Sequence, residues 1–369
     1  QNSAVRREAL RALAADAITR NDRNTARRWA TELRNEAGGA FSDALLYFEA
    51  VSRTDAAAPV LEELQKEAAA TPASTAEFIT WLNRHSLAQV ALHWSTTLPT
   101  EIASAQPVPL AVAESFSMQQ DWNGLRAHVS GKNWGAVESL RLAVESHASR
   151  RLSPPERPSL EAQTLWRAAL QAARAHPEQL LAIAQLAQGW GYQAEAEETW
   201  WELASRPEHA RNSLSALQNL YKAKQDTRGL LRVAKRALEL NPNDLVAANN
   251  CASLGLLLNG DSTARRLALR LHNEHPNNRA FAATYAFALH SEGKRAEALR
   301  VIEKLKEEEL HVPAIAAYYV VMLVENGKLE RARAFLAHAE RASLLPEERQ
   351  LLANATRKLV STGEKLAGM

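Results

Sequence analysis

Leu214, Leu217 and Tyr221 stand at i, i+3 and i+7, the spacing of one helical face. The turn Lys224-Gln225-Asp226 follows. Leu230, Leu231, Ala234, Ala237 and Leu238 then predict a second helix that stops at Asn241-Pro242, since proline cannot continue a helix and pushes its predecessor out of helical geometry. This helix–turn–helix pattern recurs. Ala196, Ala264, Ala298 and Ala332 lie on a 34-residue grid, on which Leu230 alone replaces alanine. A second line of the same period runs through Ala184, Gln218, Ala252, Ala286 and Val320, and a third through Ile183, Leu217, Cys251, Tyr285 and Tyr319. Pro177, Pro207, Pro276, Pro313 and Pro346 read as further stops, and Gly191, Gly260, Gly293 and Gly327 suit the positive φ of a helix C-terminus.

A fixed period in this range predicts stacked units, here all-helical. The alanines have a packing reason: two helices approach to about 8–10 Å only where contact residues are small. Trp200, Ile302 and Leu336 fill the space one turn away. Five regular units are expected over 177–345, followed by a capping helix over 346–369. Residues 1–176 form a less regular segment: 3–38 and 40–72 fit the pattern, 73–99 is compressed and 107–176 is irregular. The proline-rich joins at Pro99, Pro107 and Pro109 and at Ser153–Pro158 read as long loops; a domain boundary at 153–158 is the alternative. One continuous stack is the expected arrangement.

Over 177–345 the chain resembles the tetratricopeptide repeat family. Gly293-Lys-Arg-Ala-Glu-Ala298 and Gly327-Lys-Leu-Glu-Arg-Ala332 look like that family's turn into its second helix. Gln218, Val320 and Leu230 depart from its small-residue positions, and the join at 307–313 is overlong. The resemblance implies an all-α, right-handed α-solenoid of stacked helix–turn–helix repeats, with the first helix of each unit on the concave face.

Charge limits the partners. The 369 residues carry 44 basic and 42 acidic side chains, a balance that argues against bulk electrostatic binding of nucleic acid or anionic lipid. The eight arginines of the first 35 residues are read as a solvated face. No apolar run reaches the ~18–20 residues that span a bilayer, so no membrane insertion by this segment is expected. The chain starts at Gln1 without methionine, which suggests a trimmed form. Arginine outnumbers lysine 33 to 11, a hint of a GC-rich genome; a bacterial cytoplasm or periplasm is the expected compartment.

Catalytic signatures are missing: no Gly-rich phosphate loop, no His-Glu-x-x-His, no nucleophile elbow. Cys251 is alone, which leaves no internal disulfide or Cys-based zinc site. His272 and His275 are expected at the surface of a helix C-terminus, and Trp190 and Trp201 at exposed unit edges. Asn354-Ala-Thr356 matches a glycosylation sequon by pattern alone. Neither a metal nor a cofactor is expected.

Function is therefore sought in the groove, on the stripe opposite the core face of each first helix. That stripe begins with amides (Gln185, Gln188, Asn212, Asn219, Asn249) and ends apolar (Phe287, Val321, Val324). Amides offer donor and acceptor together and can hold an extended backbone. Candidate peptide contacts are Gln185, Asn212, Asn219, Lys222, Asn249, Asn250, Phe287 and Val321. Phe287 is expected to face solvent as an anchor, unless the terminal helix covers it. Some members of the family clamp a terminal carboxylate with asparagines and basic residues; Asn219 and Asn250 match the asparagines, but Ser215, Ala280 and Thr284 replace the bases, which argues against chaperone-tail binding. The expected function is a non-enzymatic scaffold for a protein or peptide. The alternative is a regulatory or recruiting arm of a larger enzyme or membrane-anchored protein. An RNA-binding repeat ranks last, because Lys222 is the one groove lysine of the regular units.

Overall fold

The computed structural model describes residues 2–36, 39–52, 57–154, 159–258, 260 and 262–367, with side chains from 3 to 361. Its described residues are helices joined by short turns, without strands. They fall into two compact units, Gln1–Ile183 and Ala184–Met369.

Unit 1 contains α1 (Asn2–Thr19), α2 (Arg23–Arg34), α3 (Phe41–Val51), α4 (Ala57–Ala68), α5 (Pro72–Arg84) and α6 (Ala88–Ser95). It continues through α7 (Thr100–Ala103), α8 (Val108–Met118), α9 (Trp122–Val129), α10 (Glu138–Leu152) and α11 (Leu160–Ala173). The division falls within α12 (Pro177–Gly189). Helix starts are set by side-chain caps, as where Asp22 accepts from the Thr25 amide and Thr71 from the Ser74 amide. The irregular stretch 107–176 is mostly helical. Pro107 and Pro109 open α8 and α7 fills the first join, so that join is no long loop. Residues 155–158 of the second join lie outside the described residues.

Helix α10 explains why periodicity failed there. Most of its length is buried, including Ser139, Arg141, Glu145, Ser146, His147 and Ser149. Burial of charge is tolerable only with partners. Arg141 donates to Glu145 at 2.5 Å, to Glu138 at 2.7 Å and to the Val129 carbonyl at 3.0 Å. A helix buried on all sides by paired polar groups shows no amphipathic stripe to read.

Unit 2 continues with α13 (Gln193–Ala204), α14 (Pro207–Lys224), α15 (Thr227–Leu240), α16 (Leu245–Leu258) and α17 (Ser262–Glu274). It ends with α18 (Arg279–Ser291), α19 (Arg295–Ile302), α20 (Glu307–Leu310), α21 (Pro313–Glu325), α22 (Leu329–Ala339) and α23 (Pro346–Ala367). Each helix from α13 to α19 packs on the next, α21 packs on α22, and the first helices α16, α18 and α21 also pack on one another. This is a stack of helix–turn–helix pairs. The grid residues form its crossings: Ala196, Ala252, Ala286, Ala298, Val320 and Ala332 are fully buried. Gly191, Gly260, Gly293 and Gly327 take φ from +58° to +78°.

Two expectations need correction. Pro177, Pro207, Pro313 and Pro346 are the first residues of the next helix rather than mere stops; proline fits there because its missing N–H is one that no helical carbonyl would accept. The overlong join at 307–313 holds the one-turn helix α20.

The burial of Ala298 predicts that Ala298→Trp lowers the melting temperature well beyond Lys306→Ala at an exposed site. Overpacking costs about 1–3 kcal/mol; equal melting temperatures in thermal scans would contradict the register. A second prediction concerns acid. Burial first, then Arg151 and Arg150, push the His147 pKa down to about 3, whereas an unfolded histidine titrates near 6.5. Below about pH 6.5 the unfolded chain therefore takes up a proton that the folded unit refuses. His147 leaves stability untouched above that pH and erodes it as pH falls towards about 3. Urea unfolding of His147→Gln should lose less stability between pH 6.5 and 4, by on the order of 1 kcal/mol per pH unit. Parallel pH profiles would contradict this.

Candidate functional site

In α14 and α15 the repeat breaks its own rule. Gln218 and Leu230 stand where most other units carry alanine, and both line one cleft of about 380 Å³. At the turn end the pair is pinned. The Tyr221 ring lies against Gly229, where an added Cβ would sit 2.3 Å from it. The Tyr221 hydroxyl donates to Glu197 at 2.6 Å and accepts from the Trp201 indole at 2.9 Å. Away from the turn, the bulk at 218 and 230 takes the place of the alanine-to-alanine approach.

The wall from α14 presents Arg211, Ser215, Gln218 and Lys222; the floor from α15 is Leu230, Val233, Ala234 and Ala237. The facing wall from α16 presents Val246, Asn250, Ser253 and Leu254. Arg211 and Lys222 form no ion pair among the described residues. They stand eleven positions apart on α14, about 16 Å along its axis. Asp244 also lines the cleft, but its carboxylate caps α16 by accepting from the Val246 and Ala247 amides at 3.0 and 2.9 Å. The cleft thus offers two unpaired cations, hydroxyls and amides between them, and an apolar floor. Five extended residues span such a length at about 3.3–3.6 Å each.

The sequence stripe and the cleft overlap in part. Lys222 and Asn250 line the cleft; Asn212, Asn219 and Asn249 do not. That stripe was drawn opposite the core face, whereas the opening lies sideways, towards α15 and α16. Asn249 is half-buried with its Oδ1 unpartnered. Gln185 is exposed on α12, and Gln188 accepts from the Trp200 indole at 3.2 Å. Arg211, Gln218 and Ser253 line the cleft without being among the candidate contacts, yet Gln218 already stood out as a break in the small-residue line.

The apolar end of the stripe is covered. Phe287 is 5% and Val321 6% exposed, and Val324 and Ala317 are buried with them. Phe287 packs on Tyr318 at 4.9 Å, and α23 lies along α21. The expectation of a solvent-facing Phe287 is therefore corrected. Trp190 and Trp201 are half-buried rather than exposed, and Arg232 stacks on Trp201 at 3.9 Å. His272 is half-buried and stacks on Tyr285 at 5.0 Å; burial, then Lys304, holds its pKa below the usual range, the reverse of what a solvated helix end would do. Asn354 of the sequon sits in α23, where its side chain accepts from Gln350 at 3.0 Å.

Among the described residues, no group of three or more His, Cys, Asp or Glu is placed to hold a metal. Burial pushes the Cys251 thiol up to about 11, far from the thiolate that nucleophilic chemistry needs. No described helix is long and apolar enough to cross a membrane.

No family model and no curated protein matches this sequence. Solved structures do. One is a tetratricopeptide repeat protein from Parabacteroides merdae: 19% identity, 67% of this chain and 97% of that one, TM-score 0.35. Another is the APC/C hetero-tetramer Cut9–Hcn1: 13% identity, 96% of this chain and 71% of that one, TM-score 0.30. Yeast Tom70 matches at 12% identity over 96% of this chain and 88% of that one, TM-score 0.26. With TM-scores this low, the fold reading rests on the chain's own register and helix pairing. On those grounds unit 2 is a stack of helix–turn–helix repeats with a 34-residue period.

Proposed function

We propose that this chain is a non-enzymatic scaffold that holds an extended segment of a partner protein in the cleft between α14, α15 and α16. The observation that carries the reading is that the two departures from alanine in this unit, Gln218 and Leu230, line the same cleft as the unpaired Arg211 and Lys222. Rule-breaking positions in an otherwise consistent repeat are where function is expected. Two cations at this separation favour a segment with carboxylates about five residues apart. Gln218 and Asn250 can each donate to and accept from its backbone.

The test is a library of fluorescent ten-residue peptides with acidic residues at varied spacings, titrated into the full chain. Binding should peak at the five-residue spacing and weaken as salt rises. Lys222→Ala combined with Asn250→Ala should weaken it about 30- to 2000-fold, since a neutral hydrogen bond is worth about 0.5–1.5 kcal/mol and a charged one about 1.5–3. The melting temperature should hold, as neither residue is in the buried core. Asn219→Ala with Asn249→Ala, outside the cleft, should leave affinity as it was. Loss of binding in that control pair, or none in the cleft pair, would move the site.

A further inference from the structure

Helix α23 does more than close the last pair. It runs beside α21, and its first turn reaches the turn between α14 and α15, 120 residues back in the chain: Thr227 donates to Glu347 at 2.5 Å, and Arg349 to Gln225 at 2.5 Å. Between these ends, Tyr318 donates to Glu348 at 2.5 Å and Lys358 pairs with Glu325. Leu352, Ala355 and Leu359, at i, i+3 and i+7, form its buried stripe over the channel that contains Phe287, Val321 and Val324.

The seat is open to solvent on both flanks. A surface depression of about 650 Å³ lies between α22 and α23, lined by Ala342, Leu344, Leu352 and Val360 among others. Another of about 400 Å³ lies on the other side, bounded by His290, Val321, Leu351 and Ala355. Val360 remains 55% exposed at the rim. The crossings at Ala252, Ala286, Ala298 and Ala332 are closed on fully buried alanines. The latches at Gln225 and Glu325 are exposed polar contacts, which water replaces at little cost; those at Thr227 and Tyr318 are more enclosed and hold the first turn.

We propose that α23 is a releasable internal occupant, and that the apolar channel on α18 and α21 beneath it is a second interaction surface for an amphipathic partner helix of α23's own chemistry. Such a helix carries apolar residues at i, i+3 and i+7, an acidic pair in its first turn to meet Thr227 and Tyr318, and a cation about ten positions on to meet Glu325. This reading is independent of the cleft, although Ser253 of α16 lines the cleft and lies beside Tyr318, which bonds Glu348.

Two measurements on the full chain test it. In hydrogen exchange, α23 amides should exchange roughly 100-fold faster than those of α21 beneath, as expected of a locally opening element; equal protection overturns the proposal. A fluorescent peptide spanning residues 346–361 should bind saturably to the Glu348→Ala chain. It should bind the unaltered chain at least about tenfold more weakly, because there the resident helix keeps its carboxylate. No saturable binding to Glu348→Ala, or equal affinity for both chains, overturns it. So does equal binding of a peptide carrying Leu352→Asp and Leu359→Asp, because the channel's apolar floor would then not be what is recognised.

Discussion

The structure of unit 2 depends on how closely two helices can approach. At the crossing of α16 and α17, a Cβ added to Gly255 would lie 3.0 Å from the Ala264 Cβ, so one more carbon already meets the neighbouring helix. The 34-residue lines of alanine carry the same constraint through the other pairs. Small residues give up little side-chain entropy on burial and let backbones approach, so larger neighbours such as Ile302 and Leu271 can bury fully. Where the constraint lapses, at Gln218 and Leu230, the stack keeps its pairing but opens a cleft.

Charge plays a secondary part. Exposed pairs such as Arg331–Glu307 and Arg333–Glu330 are each worth about 0–1 kcal/mol. Buried groups matter more because they are costly when unmet. In unit 1, Asp43 is almost fully buried and is met by Arg11 through two bonds of 2.7 and 3.0 Å, while its carboxylate also accepts from the Ala40 amide. Arg141 on α10 is met three ways. The Arg11–Asp43 pair joins α1 to α3 and the Arg141–Val129 bond joins α10 to α9, at a desolvation cost that apolar residues would not incur.

The sequence made the repeats legible because their packing is local: Ala298 and Ala332 sit one period apart and each meets the helix next door. It made α10 illegible because paired polar residues on every face leave no stripe. The candidate contacts and the cleft overlap in part. Lys222 and Asn250 line it, but the opening is turned sideways from the core face, a matter of how α14 meets α16 rather than of α14 alone. The cover over Phe287 and Val321 stood in the sequence only as the alternative to an exposed anchor; what holds it could not be read, because Thr227 and Glu347 are 120 residues apart and no local pattern records their meeting. The breaks at Gln218 and Leu230 were visible all along; what the sequence withheld was that they share a cleft.

The claim that small residues set the helix approach is tested most directly by a double-mutant cycle at Gly255 and Ala264. Gly255→Ala, Ala264→Gly and the exchanged pair are compared with the unaltered chain by chemical denaturation. Helix propensity changes by about 1 kcal/mol at each site, but the cycle cancels it and leaves the contact. If the two carbons compete for one space, the exchange should relieve the clash, with a coupling of about 0.5 kcal/mol or more. Strictly additive effects would show that the helices have room to spare and that the alanine lines do not set their spacing.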